Sequence, residues 1–246
     1  RPIMRSPSSH QSWACSGVTI GSAPSMRTTK PNGALAGSAS NVATRGGPVV
    51  KKRGYLYNSL QITTDARKAV SFSWNSNYQL RHKGPPSFGT TLTTTWKPTS
   101  QVQLSLGPSF NRSQGLAQFV TSGADSTATA FYGRRHIFAG IDQKSLSMST
   151  RANVTFTPAL TLEVFAQPLI ASGNYKTFRE FVAPRRPEFH DFVPGTELTS
   201  VTLEDGGKQF TLDVDGPSGP AQAISFFDPN FNFRSLRGNA VLRWEY

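Results

Sequence analysis

The chain has 246 residues and a formal net charge of +12, yet only 16% of its residues are charged, against roughly 25% in a typical soluble domain. No apolar run approaches the roughly 18 residues of a membrane-spanning helix, and the single cysteine, Cys15, excludes an internal disulfide framework. The basic residues lie singly or in pairs and form no continuous stripe, so we expect no nucleic-acid partner.

The first 44 residues are rich in Ser, Gly, Ala and Pro and contain no long apolar alternation. This composition predicts a disordered or non-native segment over 1–44, followed by a single β domain over 45–246. No apolar core follows the charges of the first ten residues, so no signal peptide is predicted and we expect the chain to be a fragment.

A clear period-2 pattern begins at Tyr55. Over 70–80, Val70, Phe72, Trp74, Tyr78 and Leu80 share one predicted face, while Ser, Asn and Gln share the other. Strict alternation over eleven residues predicts a β-strand, and the stretch 65–68 before it predicts a tight turn.

Two segments, 88–108 and 148–168, repeat the same pattern sixty residues apart. Each consists of a long alternating strand, an aromatic-x-Pro turn and a second long alternating strand. Trp96 aligns with Phe156, and Pro98 aligns with Pro158. Because the apolar phase is kept across each turn, both strands of each predicted hairpin direct their apolar side chains to the same side.

The later part of the chain changes character. Residues 172–230 are rich in Pro, Gly and charge, which predicts one long exposed loop with its own hairpin across Asp205 and Gly206. A last alternating strand is predicted over 231–246. Shorter excursions are predicted at 81–87, 111–115 and 121–130, and short turns at 97–101 and 157–159.

Long alternating strands joined by unequal loops are typical of an outer-membrane barrel. We therefore predict an all-β fold: an antiparallel transmembrane-type β-barrel, partial, of about eight to ten strands, with its long loops on one side and an extracellular loop at 172–230. Four aromatic residues at strand ends would form an interfacial girdle: Trp96, Phe156, Trp244 and Tyr246. A soluble β-sandwich that binds carbohydrate through Trp74 and Tyr78 is the alternative.

Three segments, Thr44–Pro48, Thr129–Gln143 and Asp228–Tyr246, resemble the C-terminal region of the DUF5916 family of bacterial proteins. The resemblance implies a C-terminal outer-membrane β-barrel, in a family whose other members carry an N-terminal carbohydrate-binding module similar to family 9. We expect this fragment to lack that module, and Tyr246 would be the aromatic residue of a third aromatic-x-Pro turn. The resemblance implies a bacterial outer-membrane location, in a family whose biochemical role is not established. The paired alternating strands with unequal loops lead us to expect transport or surface anchoring of a carbohydrate-related protein.

Several charged residues fall on the polar side of the predicted strands, which would be the lumen of a barrel: Arg151, Glu163, Arg237, Arg243 and Glu245. They predict either an ionic network that fills the interior or a lining selective for anionic solutes. A second set is predicted to lie in extracellular loops and to contact lipopolysaccharide phosphates or another anion: Arg134, Arg135, Arg185 and Arg186. The expected partners are therefore outer-membrane lipid and lipopolysaccharide, with carbohydrate or an anionic solute as further candidates.

The sequence contains no hydrolase signature and no phosphate-binding loop. A membrane-embedded hydrolase using His136, His190 and Asp191 remains an alternative, although no nucleophile is paired with them. The Asp and Gly residues at 213–216 resemble a calcium loop without its closing glutamate. We expect no cofactor, no metal site and no enzymatic activity.

Overall fold

The computed structural model describes residues 25–32, 39–40, 44–45, 47–51 and 54–245 of the chain. Fourteen strands run through these residues: β1 (Ser25–Asn32), β2 (Ala39–Ser40), β3 (Val50–Lys51), β4 (Tyr55–Thr63), β5 (Val70–Arg81), β6 (Ser87–Thr99), β7 (Val102–Ala124), β8 (Arg134–Thr157), β9 (Leu160–Phe181), β10 (Phe189–Asp191), β11 (Leu198–Thr202), β12 (Lys208–Leu212), β13 (Ile224–Phe227) and β14 (Phe231–Trp244).

Nine strands form one antiparallel sheet in the order β1, β4, β5, β6, β7, β8, β9. Strands β14 and β10 both pair with the far side of β9, β14 along its first part and β10 at its end. The predicted all-β, antiparallel fold is confirmed. In the described residues β1 and β14 are not paired with each other, so this sheet is open. Closure into a barrel therefore stays a prediction.

The cross-strand register places even-numbered residues opposite even-numbered residues along this sheet. Trp74 faces Leu92, Trp96 faces Leu104, and Val164 faces both Ala152 and Ala240. Because side chains alternate with a period of two, every even-numbered residue in this part of the sheet projects from one face. We call it the even face, and the opposite one the odd face.

The turns at the two ends of the sheet differ in length. At the lower end, β4 and β5 are joined across 64–69, β6 and β7 across 100–101, and β8 and β9 across 158–159. At the upper end, the connections span 82–86, 125–133 and 182–230. The predicted inequality is present for the connections 125–133 and 182–230, whereas 82–86 is no longer than the lower turn 64–69. Residues 111–115 continue β7 instead of leaving the sheet.

Strands β7, β8 and β9 have 23, 24 and 22 residues and extend above their neighbours. Extra residues in β7 and β9 shift the register in this upper part, where β8 contributes none. The extra residue of β8 lies at its lower end, between Thr155 and Thr157. The buried side chains of the described residues are concentrated in this upper part. One cluster lies on each side of β8, since Ile137 and Ala139 belong to one cluster and Phe138 to the other.

Strands β11, β12 and β13 form a small sheet that covers the Ile137 side of β8. Its buried residues Leu198, Leu212 and Phe226 join the same cluster. The Phe138 side is covered by Val50, Phe131 and Phe181. Aromatic edges hold this second cluster together, because Phe138 meets Phe181 at 5.0 Å between ring centroids and 84° between planes.

The predicted long exposed loop at 172–230 is therefore corrected. Strand β9 continues to Phe181, and the predicted hairpin exists as β11 and β12. However, that hairpin is part of a packed sheet, with Leu198 7% and Leu212 1% exposed. Its apolar side chains are buried because the upper part of β8 offers an apolar surface at Ile137 and Ala139 that its polar lower part does not.

Part of the segment 1–44 also differs from its prediction. Residues Ser25–Asn32 form β1 and pair with β4, and Ala39–Ser40 pair with β3. The rest of the predicted segment, apart from Thr44, lies outside the described residues. Within the part of the chain that the structure describes, no helix has the length and apolar character needed to cross a membrane.

Candidate functional site

The even face of the lower sheet carries a band of mostly apolar side chains, which we call the apolar belt; its polar members are uncharged (Ser76, Thr90, Thr94 and Thr150). It comprises the even-numbered residues of 70–80, 88–96, 102–110, 146–156, 160–170 and 236–244. Each stretch has nine to eleven residues, and none of its even-numbered positions holds a charged side chain. Nine to eleven residues is about the length that a tilted β-strand needs to cross a bilayer.

The apolar belt is uncovered among the described residues. Leu106 is 48%, Leu146 is 51% and Leu242 is 64% exposed, and none belongs to either buried cluster. Monomeric soluble proteins rarely leave so large a contiguous apolar surface open to water. The indole N–H of Trp74 donates to Thr90 Oγ1 at 2.8 Å, so this polar group on the belt is satisfied internally.

Charged side chains bound the belt on the same face. Arg112 and Lys144 face each other two residues above the pair Phe110 and Leu146. Arg234 faces Ile170. Arg112 donates two hydrogen bonds to Asp142, at 2.9 and 2.7 Å. At the lower edge, the turn 65–68 carries the charged residues Asp65, Arg67 and Lys68.

The predicted girdle aromatics lie together at the lower edge of the belt. Trp96 is 49%, Phe156 is 53% and Trp244 is 73% exposed, and all three are on the even face. The fourth, Tyr246, lies outside the described residues. An upper row that the sequence analysis missed consists of Tyr78, Phe88 and Phe110. Their even numbering was the signal that could have identified them.

Over β5 to β8 the odd face is lined mainly by uncharged polar side chains, and its charged residues lie mostly on β8, β9 and β14. Opposite the belt, β5 presents Ser and Asn, β6 presents Thr, and β7 and β8 present Ser, Gln and Asn. Hydroxyls bond across strands, as Thr91 Oγ1 and Ser109 Oγ do at 2.8 Å. Such a face is compatible with water but offers little apolar area for packing.

The predicted lumen residues share this odd face, and three of them are neighbours. Arg243 Nη1 lies 4.0 Å from Glu163 Oε1, and the Arg151 guanidinium lies 5.3 Å from the Phe165 ring centroid. Arg151, Glu163 and Phe165 also line a cavity of about 370 Å³. The Arg243–Glu163 pair is largely exposed, so it contributes little to stability.

The other two predicted lumen residues are separate from that group. Arg237 faces Gln167, six residues above Arg243 along β14. The backbone N–H of Glu245 donates to the Ala159 carbonyl at the lower edge. Among the described residues neither forms an ion pair.

The predicted loop cations divide into two kinds. Arg134 is exposed and donates from Nε to Ser122 Oγ, and Arg185 and Arg186 are exposed between β9 and β10. Arg134 and Arg135 are both residues of β8, so the prediction that they lie in a loop is corrected for both. Arg135 also differs from Arg134 in its surroundings. It is buried in β8 and forms ion pairs with Asp125 at 2.7 Å and Glu180 at 2.5 Å, so its charge is already compensated.

The residues of the hydrolase alternative are separated. His136 belongs to the Phe138 side of β8, with its ring 6.0 Å from Phe131. His190 packs beside Phe192 on the other side and lies 3.1 Å from Glu197. Asp191 pairs with Arg179 at 2.9 Å. The two histidines therefore do not form an acid–base pair.

The described residues contain no group of three or more His, Cys, Asp or Glu side chains able to hold a metal ion. In the segment that resembles a calcium loop, Asp215 Oδ2 accepts a hydrogen bond from the Ala221 N–H at 3.0 Å. Asp228 accepts from Asn230 in the same way. These carboxylates order their own turns.

No family model, no curated protein and no solved structure matches the chain. The resemblance to the DUF5916 family therefore rests on the three sequence segments alone and stays a prediction.

Proposed function

We propose that this chain is part of an outer-membrane β-barrel, with the even face toward lipid and the odd face toward a water-filled interior. The observation that carries the proposal is the apolar belt, which is uncharged, uncovered and nine to eleven residues tall on six strands. The polar odd face behind it matches the interior of such barrels. Rows of aromatic residues at both edges match their interfacial girdles.

The soluble-sandwich alternative requires a second sheet over the apolar face. The described chain does contain a second sheet, β11 to β13, but it packs beside Ile137 and Ala139, on the odd-numbered side of the upper part of β8. A sheet on that side leaves the belt open. In the proposed barrel it would lie at the mouth of the interior, on the side of the long connections.

The biochemical role we propose is transport or surface anchoring of a carbohydrate-related protein. The group formed by Arg151, Glu163 and Arg243 on the odd face supports a polar passage that holds an ionic network. It carries one more positive than negative side chain, which favours an anionic solute over a cationic one. Pairing of the open sheet edges is a requirement of the proposal, because unpaired backbone groups are not tolerated in lipid.

The test compares two substitutions at the middle of one strand. Leu92 and Thr93 are adjacent in β6, midway along its stretch of the belt, and lie on opposite faces. Leu92→Arg should weaken insertion of the refolded chain into phospholipid vesicles by about 2–4 kcal/mol, since it places a charge at the bilayer midplane. Thr93→Arg should insert as the wild type does.

Insertion is measured by flotation with the vesicles and by protection of the lower turns from added protease. Equal insertion of Leu92→Arg and Thr93→Arg would contradict the assignment of faces. A wild-type chain that folds in buffer and does not float with vesicles would contradict the membrane proposal itself.

A further inference from the structure

The upper part of the molecule contains a cavity of about 630 Å³ that is separate from both faces of the lower sheet. It lies between the ends of β7 and β8 and the segment 44–48. Its lining includes Arg45, Gly47, Phe119, Tyr132, Arg134 and His136.

The His136 side chain forms one wall of this cavity. It is 7% exposed and packs against the rings of Phe131 and Phe119, at 6.0 and 6.5 Å between centroids. Its Nδ1 is buried behind the wall and has no hydrogen-bond partner among the described residues, so the ring contributes a flat aromatic surface to the cavity.

Gly47 closely approaches this imidazole. A Cβ placed on Gly47 would lie 2.8 Å from His136 Cε1, which is closer than side-chain atoms can pack. Glycine therefore permits the approach. Burial, together with the charge of Arg134, lowers the pKa of His136, so the ring is neutral at pH 7 and adds no charge of its own.

The charged lining of the cavity is entirely positive. The Arg45 guanidinium lies 4.8 Å from the Phe119 ring centroid, and Arg134 donates only from Nε, to Ser122 Oγ at 3.2 Å. No carboxylate lines the cavity, and none of the described residues forms an ion pair with either arginine. The contrast with Arg135 is informative, since that arginine is already paired with Asp125 and Glu180.

An aromatic side chain stands at the rim of the same cavity. Tyr132 is 86% exposed and has a left-handed backbone with φ of 57°, directly after the short 3-10 turn Thr129–Phe131. Residues other than glycine and asparagine seldom adopt this conformation, and bulky residues do so least often. An exposed phenol ring beside polar groups suits contact with the apolar face of a sugar ring.

We propose that this cavity binds a small anionic saccharide, meaning a pyranose that carries a carboxylate or a phosphate. Arg45 and Arg134 receive the anionic group, Tyr132 contacts the sugar ring, and the His136 imidazole forms part of the wall. The proposal does not depend on the membrane location, because every residue that carries it belongs to the upper part of the chain.

The experiment is calorimetric titration of the refolded full chain in a detergent without a sugar headgroup, which would compete. The probes are D-glucuronate and D-glucose 1-phosphate, with D-glucose and inorganic phosphate as controls. We expect saturable binding of at least one anionic sugar, with both controls at least about tenfold weaker. If neither anionic sugar binds, or if inorganic phosphate binds as tightly as the sugars, the proposal is overturned.

Two variants locate the site, and one controls for charge. Arg134→Gln removes an exposed cation, and Tyr132→Gly removes the ring while suiting the left-handed backbone, so neither should disturb folding. Each should weaken binding about tenfold, whereas Arg67→Gln, in the turn at the lower end, should bind as the wild type does. Unchanged affinity in both Arg134→Gln and Tyr132→Gly would place any binding elsewhere and overturn the proposal.

Discussion

At the scale of single residues, Arg135 connects three parts of the upper molecule. Its side chain pairs with Asp125 in the β7–β8 connection and with Glu180 near the end of β9. The Asp125 side chain is fully buried in this arrangement. Arg135 also donates to Thr127 Oγ1, which in turn donates to Asp125.

Replacing Arg135 should therefore be far more damaging than replacing its neighbour. Arg135→Ala leaves a buried carboxylate without its cation, and we expect the free energy of unfolding to fall by about 3–5 kcal/mol. Arg134→Ala removes an exposed charge with one hydrogen bond and should change it by less than about 0.5 kcal/mol. Urea unfolding of the two variants measures the difference, and similar losses would show that Arg135 has no special structural role.

The same network gives a prediction about acid. Burial raises the pKa of Asp125, but hydrogen bonds from Thr127 and Arg135 outweigh burial and hold the net pKa below its ordinary value. The ionised form thus stabilises the folded state above about pH 4, and this contribution is lost as the pH falls through the folded-state pKa. Burial raises the pKa of Glu180, which acts in the opposite direction.

Asp125→Asn removes the Asp125 contribution and leaves Glu180 in place. At pH 7 the variant should be less stable than the wild type. The difference should shrink as the pH falls below about 4, where the wild-type carboxyl becomes protonated. Urea unfolding at pH 7, 5 and 3 provides the test, and a difference independent of pH would mean that the ionised carboxylate is not the stabilising form.

The pair Arg134 and Arg135 shows where sequence reasoning ends at this scale. The two residues are of the same type and are adjacent, so their sequence context is nearly the same. The sequence therefore predicts the same role, a loop contact with an anion, for both. What separates them is strand alternation at the start of β8, together with partners 10 and 45 residues away in the sequence. Neither partner can be inferred from spacing.

At the scale of elements, the bulge in β9 separates its two packing environments. Between the pairs Gly140–Lys176 and Ala139–Phe178, β9 contains one extra residue, Thr177, with φ of 52°. The extra residue changes which positions of β9 face the buried cluster, so that Phe178 enters it. A β-branched residue in this conformation is strained.

Thr177→Gly should consequently stabilise the protein, by about 1 kcal/mol, because glycine adopts a positive φ without penalty. The matched control is Thr161→Gly, in the regular lower part of the same strand, which should be destabilising by about 0.5–1 kcal/mol. Thermal or urea unfolding distinguishes the two. Destabilisation by both substitutions would show that Thr177 is not strained.

The lower strands were predictable because their alternation is local. The strand at 70–81 and both hairpins of the repeat could be recognised from side-chain parity alone, since short turns kept the phase. The upper part could not, because bulges at Thr177 and in β7 break the parity. There, Pro and Gly between short apolar strands resembled an exposed loop, and only the packing surface on β8 distinguishes the two.

At the scale of the whole molecule, apolar side chains are distributed in opposite ways in its two halves. In the upper half they are buried between sheets, in clusters that contain Ile137 and Phe138, at 0% and 1% exposure. In the lower half they form the uncovered belt. If the belt were the interior surface of a soluble protein, the small sheet of β11 to β13 would be the element available to cover it. That sheet instead packs beside Ile137 and Ala139 in the upper half.

The belt also makes a prediction about depth in a bilayer. Trp74 lies near the middle of its stretch of the belt, whereas Trp96 and Trp244 lie at the lower edge. In vesicles containing lipids brominated near the chain ends, fluorescence of a variant retaining only Trp74 should be quenched more than that of variants retaining only Trp96 or Trp244. With bromine close to the headgroup, the order should reverse, because edge residues lie at the interface.

A neighbouring position supplies the control. Asn75→Trp in a background without other tryptophans places the same ring at nearly the same height on the odd face, where the proposed interior contains water. For each brominated lipid, the fluorescence of Trp at position 75 should be quenched less than that of the belt tryptophan which the same lipid quenches most. Equal quenching at positions 74 and 75 would mean that the two faces of the sheet meet the same surroundings, and a barrel with a polar interior could not then be maintained.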